Sequence, residues 1–144
     1  MGDIWVVAAD SVRARLFRLD GQHRLEELED LTAPEDRLKN QDLNSDRGGR
    51  AFDSVGGGRH AMEKHESPHE HAVKAFAGRV VERLEQGRKR GELDGLVVIA
   101  APRMLGYLRD HFSDALEDTV LCSIHRELTR ETPARIAEYL PRSF

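Results

Sequence analysis

Hydrophobic and polar positions divide the chain into short apolar runs, one long amphipathic stretch and one long polar stretch. Residues 4–9, Ile4-Trp5-Val6-Val7-Ala8-Ala9, form a near-continuous apolar run. Such a run suits a strand covered on both faces. Asp10-Ser11 makes a turn, and residues 13–19, rich in Leu, Phe and Arg, read as a second strand. Asp20-Gly21 is a hairpin-type dipeptide, so residues 23–31 return as a third strand. Leu25, Leu28 and Leu31 lie three apart, however, which also fits a helix.

The clearest element begins at Ser67. Ser67 can cap a helix, Pro68 suits its first position, and Glu70 completes a Ser-x-x-Glu capping box. Val73, Phe76, Ala77, Val80, Val81 and Leu84 follow one helical face. Arg88-Lys89-Arg90 suits the negative end of the dipole, and Gly91 supplies a stop. At ~1.5 Å per residue this predicts a helix of about 34 Å.

Leu96 to Ala101 reads as a buried strand stopped by Pro102. A short helical stretch follows, with Leu105, Leu108 and Phe112 inward. Residues 119–125 form another strand, and Thr132-Pro133 opens a last helix carrying Ile136, Tyr139 and Leu140. The order β-β-β-α-β-α-β-α predicts an α/β fold. Three hairpin-linked antiparallel strands join two parallel strands in a mixed five-stranded sheet. Helical crossovers of that kind are right-handed. The arrangement is ribonuclease-H-like, within a single domain over residues 1–144.

Between these elements, Thr32 to Glu66 shows no sustained periodicity and is rich in Asp, Arg, Asn, Gly and Ser. A compact domain rarely carries so long a segment without a use for it. It contains Gly48-Gly49-Arg50 and Gly56-Gly57-Gly58-Arg59-His60. Consecutive glycines serve where backbone turns sharply or approaches a ligand closely. This is neither a Walker loop nor a dinucleotide fingerprint, because no Gly-Lys-Ser/Thr follows and no strand directly precedes it. A plain flexible loop is the alternative. Arg37, Lys39, Arg47, Arg50, Arg59 and Lys64 lie in it, balanced by Asp36, Asp42, Asp46, Asp53, Glu63 and Glu66. The loop either pairs with itself or sets Arg50, Arg59 and Lys64 on phosphates by specific contact.

Composition narrows the options. The formal charge is −4 and the pI about 6.0, which argues against coating nucleic acid by bulk charge. The single cysteine, Cys122, excludes an intrachain disulfide and reads as a buried thiol, in keeping with a reducing compartment. The N-terminal apolar run is too short for a signal peptide or a membrane span. Val6 stands where a myristoylation motif needs Ser or Thr. The expectation is a cytoplasmic chain with no membrane insertion.

Enzyme chemistry finds weak footing. His65 and His69 with a loop carboxylate could hold zinc, but no His-Glu-x-x-His or cysteine pair is present, so no metal or other cofactor is expected. His69 and His71 read better as surface residues at a helix start. A two-metal nuclease needs clustered carboxylates. The first strand offers only Asp3 and Asp10 at its edges, and residues 96–101 offer none. Ser54, His60 and an Asp could form a nucleophile–base set only if the loop brought them together.

Several motifs together resemble a known family. They are Trp5 to Ser11 followed by Arg13 to Phe17, and Arg37-Leu38-Lys39 with Asp42 to Arg47. Phe52-Asp53-Ser54, Gly56 to Met62, and Ala101 to Gly106 complete the set. They resemble the host attachment protein family over essentially the whole chain. That family is similar to the middle domain of the archaeal and eukaryotic class 1 release factor, in which a Gly-Gly-Gln loop precedes a long helix and enters the peptidyl-transferase centre. The resemblance implies a release-factor-middle-domain-like fold. Here Arg59 follows Gly57-Gly58 and the glutamine is missing. Arginine offers a fixed cation with five donors and does not orient water as an amide does. The implied function is a non-catalytic module associated with the ribosome or structured RNA. Its contact loop comprises Arg47, Arg50, Asp53, Ser54, Gly56, Gly57, Gly58, Arg59, His60 and Lys64. A regulatory domain that binds a protein partner, or a metal-dependent or peptidyl-tRNA hydrolase, are the alternatives.

Overall fold

The computed structural model describes residues 2–34 and 66–144. Strands β1 (Asp3–Ala9), β2 (Arg13–Leu19) and β3 (Leu25–Thr32) come first, then helix α1 (Pro68–Lys89) and strand β4 (Leu93–Ala100). Helices α2 (Pro102–Asp110) and α3 (Asp114–Glu117), strand β5 (Val120–Ile124) and helix α4 (Pro133–Ala137) follow. The sheet has the order β3-β2-β1-β4-β5. β1 and β3 flank β2 antiparallel, while β4 runs parallel to both β1 and β5. The mixed five-stranded α/β sheet expected from the pattern is present.

The continuous apolar run of β1 is explained by two covered faces. Trp5, Val7 and Ala9 face one core with Phe76, Val80 and Leu84 of α1 and Leu105 and Leu108 of α2. Val6 and Ala8 face a second core with Phe17, Val97, Ile99, Leu128, Ile136 and Leu140. Alternation along a pleated strand sends successive side chains to opposite faces, so a doubly covered strand shows no polar position. Trp5 lies so close to α1 that a Cβ on Gly87 would sit 2.7 Å from its ring.

The open reading of residues 23–31 resolves as a strand with a bulge. Leu16 pairs with Glu29 and Phe17 with Glu27, leaving Leu28 without an opposite residue. One extra residue reverses the alternation beyond it. Leu25 therefore packs toward the second core and Leu31 toward the first. The helix-like spacing of the three leucines is the trace of that bulge.

The N-cap of α1 forms as expected, with the Ser67 hydroxyl accepting from the Glu70 backbone N–H at 3.0 Å. Gly91, at φ +73°, follows its end. The capping box does not close, because the Glu70 carboxylate accepts from the Tyr107 hydroxyl instead, at 2.9 Å. Three further details depart from the pattern. The crossover from β4 to β5 contains an extra short helix, α3, capped by Ser113. The last helix ends at Ala137, before Tyr139 and Leu140. Cys122 is only half-buried, because β5 is an edge strand, on which Leu121 is 44% exposed.

The C-terminal segment is fixed across the sheet by Arg15, which is 7% exposed. Arg15 binds Glu27 through two nitrogens and donates to the carbonyls of Thr129 at 3.0 Å and Glu131 at 2.6 Å. Its guanidinium also lies over the Phe17 ring.

Candidate functional site

β1 and β4 end side by side, pairing Ala9 with Ala100. In open α/β sheets, ligand crevices form outside the carboxyl ends of parallel strands. A cleft of about 190 Å³ lies there. Asp10 and Ser11 from the end of β1, Glu70 from the start of α1, and Arg103 and Tyr107 from α2 all line it. Val73 and Met104 supply its apolar wall.

Each polar group has a traceable origin. Asp10 closes the β1–β2 turn by accepting from the Val12 and Arg13 N–H groups at 2.9 and 2.8 Å. Its other oxygen accepts from the Thr129 hydroxyl at 2.6 Å. The Tyr107 phenol is held above its ordinary pKa, first by donation to Glu70 and then by desolvation. Lys74 Nζ lies 5.5 Å from the Tyr107 ring centroid and donates to Glu66 at 2.7 Å. His71 Nδ1 lies 2.6 Å from the other Glu66 oxygen. Donation from Lys74, then from His71, holds the Glu66 carboxyl below its usual range. Arg103 is exposed at the start of α2, beside a cap residue, Ala101, that has no side-chain hydrogen bond to offer.

This end of the sheet also holds both attachment points of the Gly-rich segment. On one side, Ala33 N–H donates to the Val12 carbonyl at 2.8 Å, next to Thr32, which pairs with Arg13. On the other, Ser67 caps α1. The ten residues singled out in the sequence, Arg47, Arg50, Asp53, Ser54, Gly56, Gly57, Gly58, Arg59, His60 and Lys64, all lie outside the described residues. So do His65 and the carboxylates drawn on for a zinc site. Among the described residues, no three His, Cys, Asp or Glu side chains gather to hold a metal ion. Asp3 and Asp10 sit at opposite ends of β1, roughly 20 Å apart at strand rise, too far to share an ion.

Sequence reasoning missed Tyr107 and the retargeting of Glu70. They are 37 positions apart, and neither sits in a recognisable local pattern. Arg103 was within reach, since it stands in the Ala101-Pro102-Arg103 motif.

The family described as protein required for attachment to host cells matches residues 5–140. No curated protein sequence matches the chain. Among solved structures, the archaeal translation termination factor aRF1 is similar at 17% identity with a TM-score of 0.51. The likeness covers 96% of this chain and 35% of that one. This chain therefore spans about a third of the factor's length, and at such identity the likeness is one of fold. A second structure, titled only an archaeal protein, aligns at 15% identity and a TM-score of 0.48, over 94% of this chain and 35% of its own.

Proposed function

The chain belongs to the family of proteins required for attachment to host cells, and from that premise we propose that it is a non-catalytic binding module for the ribosome or a structured RNA. It acts in the cytoplasm. One observation carries the reading: the two ends of the Gly-rich segment are fixed together at the carboxyl end of a rigid sheet. Binding segments are commonly displayed from such scaffolds. The likeness of fold to a translation termination factor supports the choice of partner.

In this reading Arg47, Arg50, Arg59 and Lys64 contact phosphates, and Gly56, Gly57 and Gly58 let backbone approach the RNA. Asp53 and Ser54 shape the segment through side-chain-to-backbone bonds, and His60 adds a ring donor. Arg59 supplies a forked cation suited to phosphate geometry.

Ribosome co-sedimentation in low and high salt tests this. The comparison is with a variant carrying Gly56→Ala, Gly57→Ser, Gly58→Ala and Arg59→Ser. Phosphate contacts make binding fall with salt. Association that weakens with salt and is lost in the variant is the expected result. No association at any salt sinks the proposal.

No helix among the described residues is long and apolar enough to cross a membrane.

A further inference from the structure

A second surface lies at the other end of the molecule, away from the cleft. The β2–β3 hairpin and the C-terminal segment enclose an open groove of about 810 Å³. Leu25, Ala137 and Leu140 form its floor, and Pro133 and Ala134 form a wall of small side chains. Its size falls within the ~300–1,000 Å³ typical of ligand pockets.

The hairpin turn holds the groove open. Asp20 Oδ1 accepts from the Gln22 and Arg24 N–H groups at 2.8 and 3.0 Å. His23 then adopts φ +65°, in the left-handed region. Hairpin loops of this kind ordinarily place glycine there. The histidine side chain has a use at that position: Nε2 donates to the Ala137 carbonyl at 3.1 Å and ties the hairpin to α4.

The rim is cationic. Arg24, with its side chain 73% exposed, has only a loose pairing with Asp20 at 3.8 Å. Arg142 makes no ion pair among the described residues. Glu138, the acid on this rim, is neutralised by Arg135 at 2.7 Å. Among the described residues no Phe, Tyr or Trp lines the groove, and the one ring on it, the His23 imidazole, is tied to the Ala137 carbonyl. The Tyr139 ring is instead packed beneath the guanidinium groups of Arg126 and Arg135. A nucleic acid strand would therefore find no row of aromatic faces on which successive bases could stack. An apolar floor of small and aliphatic side chains under the loosely paired Arg24 and the exposed Arg142 fits aliphatic side chains flanked by carboxylates.

We infer that the groove between the β2–β3 hairpin and α4 binds an acidic amphipathic peptide segment of a partner protein, with aliphatic residues on Leu25, Ala137 and Leu140 and carboxylates on Arg24 and Arg142. Grooves that take one apolar face of a peptide are a recurrent recognition mode. This surface shares no residue with the proposed RNA-binding segment, so either assignment can fail without the other.

Fluorescence anisotropy on the full chain tests it with three labelled probes: a short amphipathic Leu–Glu peptide, its Leu–Lys counterpart and an oligouridylate. The Leu–Glu peptide binds and the other two do not. Arg24→Glu with Arg142→Glu weakens binding by about tenfold or more, since like charges across an interface oppose docking. Ala134→Trp, an exposed substitution that fills the groove, weakens it as well. Three results overturn the inference. One is no binding of the Leu–Glu peptide up to about 1 mM, the weak end of the affinity scale. Another is equal binding of the Leu–Lys peptide or indifference to both substitutions. The last is oligouridylate binding that the charge reversal abolishes, which would reassign the groove to nucleic acid.

Discussion

Replacing Arg15 with methionine removes a cation that ties the first antiparallel strands to the C-terminal segment. The residue is 7% exposed and its side chain makes four hydrogen bonds. Methionine retains most of the aliphatic stem, so little packing is lost. The pair with Glu27 contributes modestly, because that carboxylate is partly exposed and water can take over. The two bonds to main-chain carbonyls matter more. Hydrogen bonds to charged groups are worth roughly 1.5–3 kcal/mol each. Arg13 also reaches the Thr129 carbonyl, at 3.4 Å, and keeps that group partly satisfied. The expected loss is about 3 kcal/mol at the low end of that range. For a chain of this size it corresponds to a fall in Tm of roughly 6–12 °C. Urea unfolding followed by Trp5 fluorescence reads it directly, with an unchanged m-value showing that the denatured state is not altered. Arg18→Met is the control: Arg18 holds Glu26 at the exposed edge of the same strand pair, so its midpoint should not move. If Arg15→Met unfolds at the same midpoint as Arg18→Met, the Arg15 clasp does not hold the C-terminal segment and the reasoning fails.

Two of the glycines inside helices give opposite expectations. Gly87→Ala places a Cβ 2.7 Å from the buried Trp5 ring, and the overpacking of about 1–3 kcal/mol outweighs the helix gain of about 0.5–1. Gly106→Ala meets nothing within 4 Å and should stabilise by about 0.5–1 kcal/mol, so denaturation midpoints should move in opposite directions. The Asp30 carboxyl is held low, first by the hydrogen bond from Arg13. A depressed folded pKa gives stability that is present above the ordinary aspartate value of 3.8 and lost as pH falls below it through the folded value. Urea midpoints between pH 6 and pH 3 should therefore decline less steeply in Asp30→Asn, and an identical slope would refute the assignment. Burial pushes the Cys122 thiol above its ordinary pKa. A thiol reagent at mild alkaline pH should react more slowly with the folded chain than with the urea-unfolded one, and equal rates would place Cys122 in open solvent.

What the sequence revealed of the fold depended on whether each signal was local. The β1 and β4 runs were legible because burial on both faces leaves an unbroken apolar stretch. The ends of α1 were legible because Ser67, Pro68 and Gly91 act on their own backbone. The Leu28 bulge, the turning of Glu70 toward Tyr107 and the reach of Arg15 to residue 131 depend on partners distant in sequence. Half-burial of Cys122 followed from β5 taking the sheet edge, which an apolar run alone does not specify. As for the site, the Gly-rich segment was visible through composition and a family likeness. The cleft at its base was not, because Asp10, Glu70, Arg103 and Tyr107 are single polar residues at the ends of separate elements.

The covering of the second sheet face has a consequence for how the chain is made. Val6, Ala8, Phe17, Val97 and Ile99 belong to strands complete by residue 100, yet their cover comes from Leu128, Ile136 and Leu140. Synthesis proceeds from the N-terminus, so a nascent chain shows this apolar face until residues 128–140 have emerged. A product cut short after β5 would keep all five strands of the sheet but leave that face bare to solvent. Early termination there would thus yield a sticky chain, marked for chaperones and proteases by its own surface, a mark that Leu128, Ile136 and Leu140 hide once they are in place.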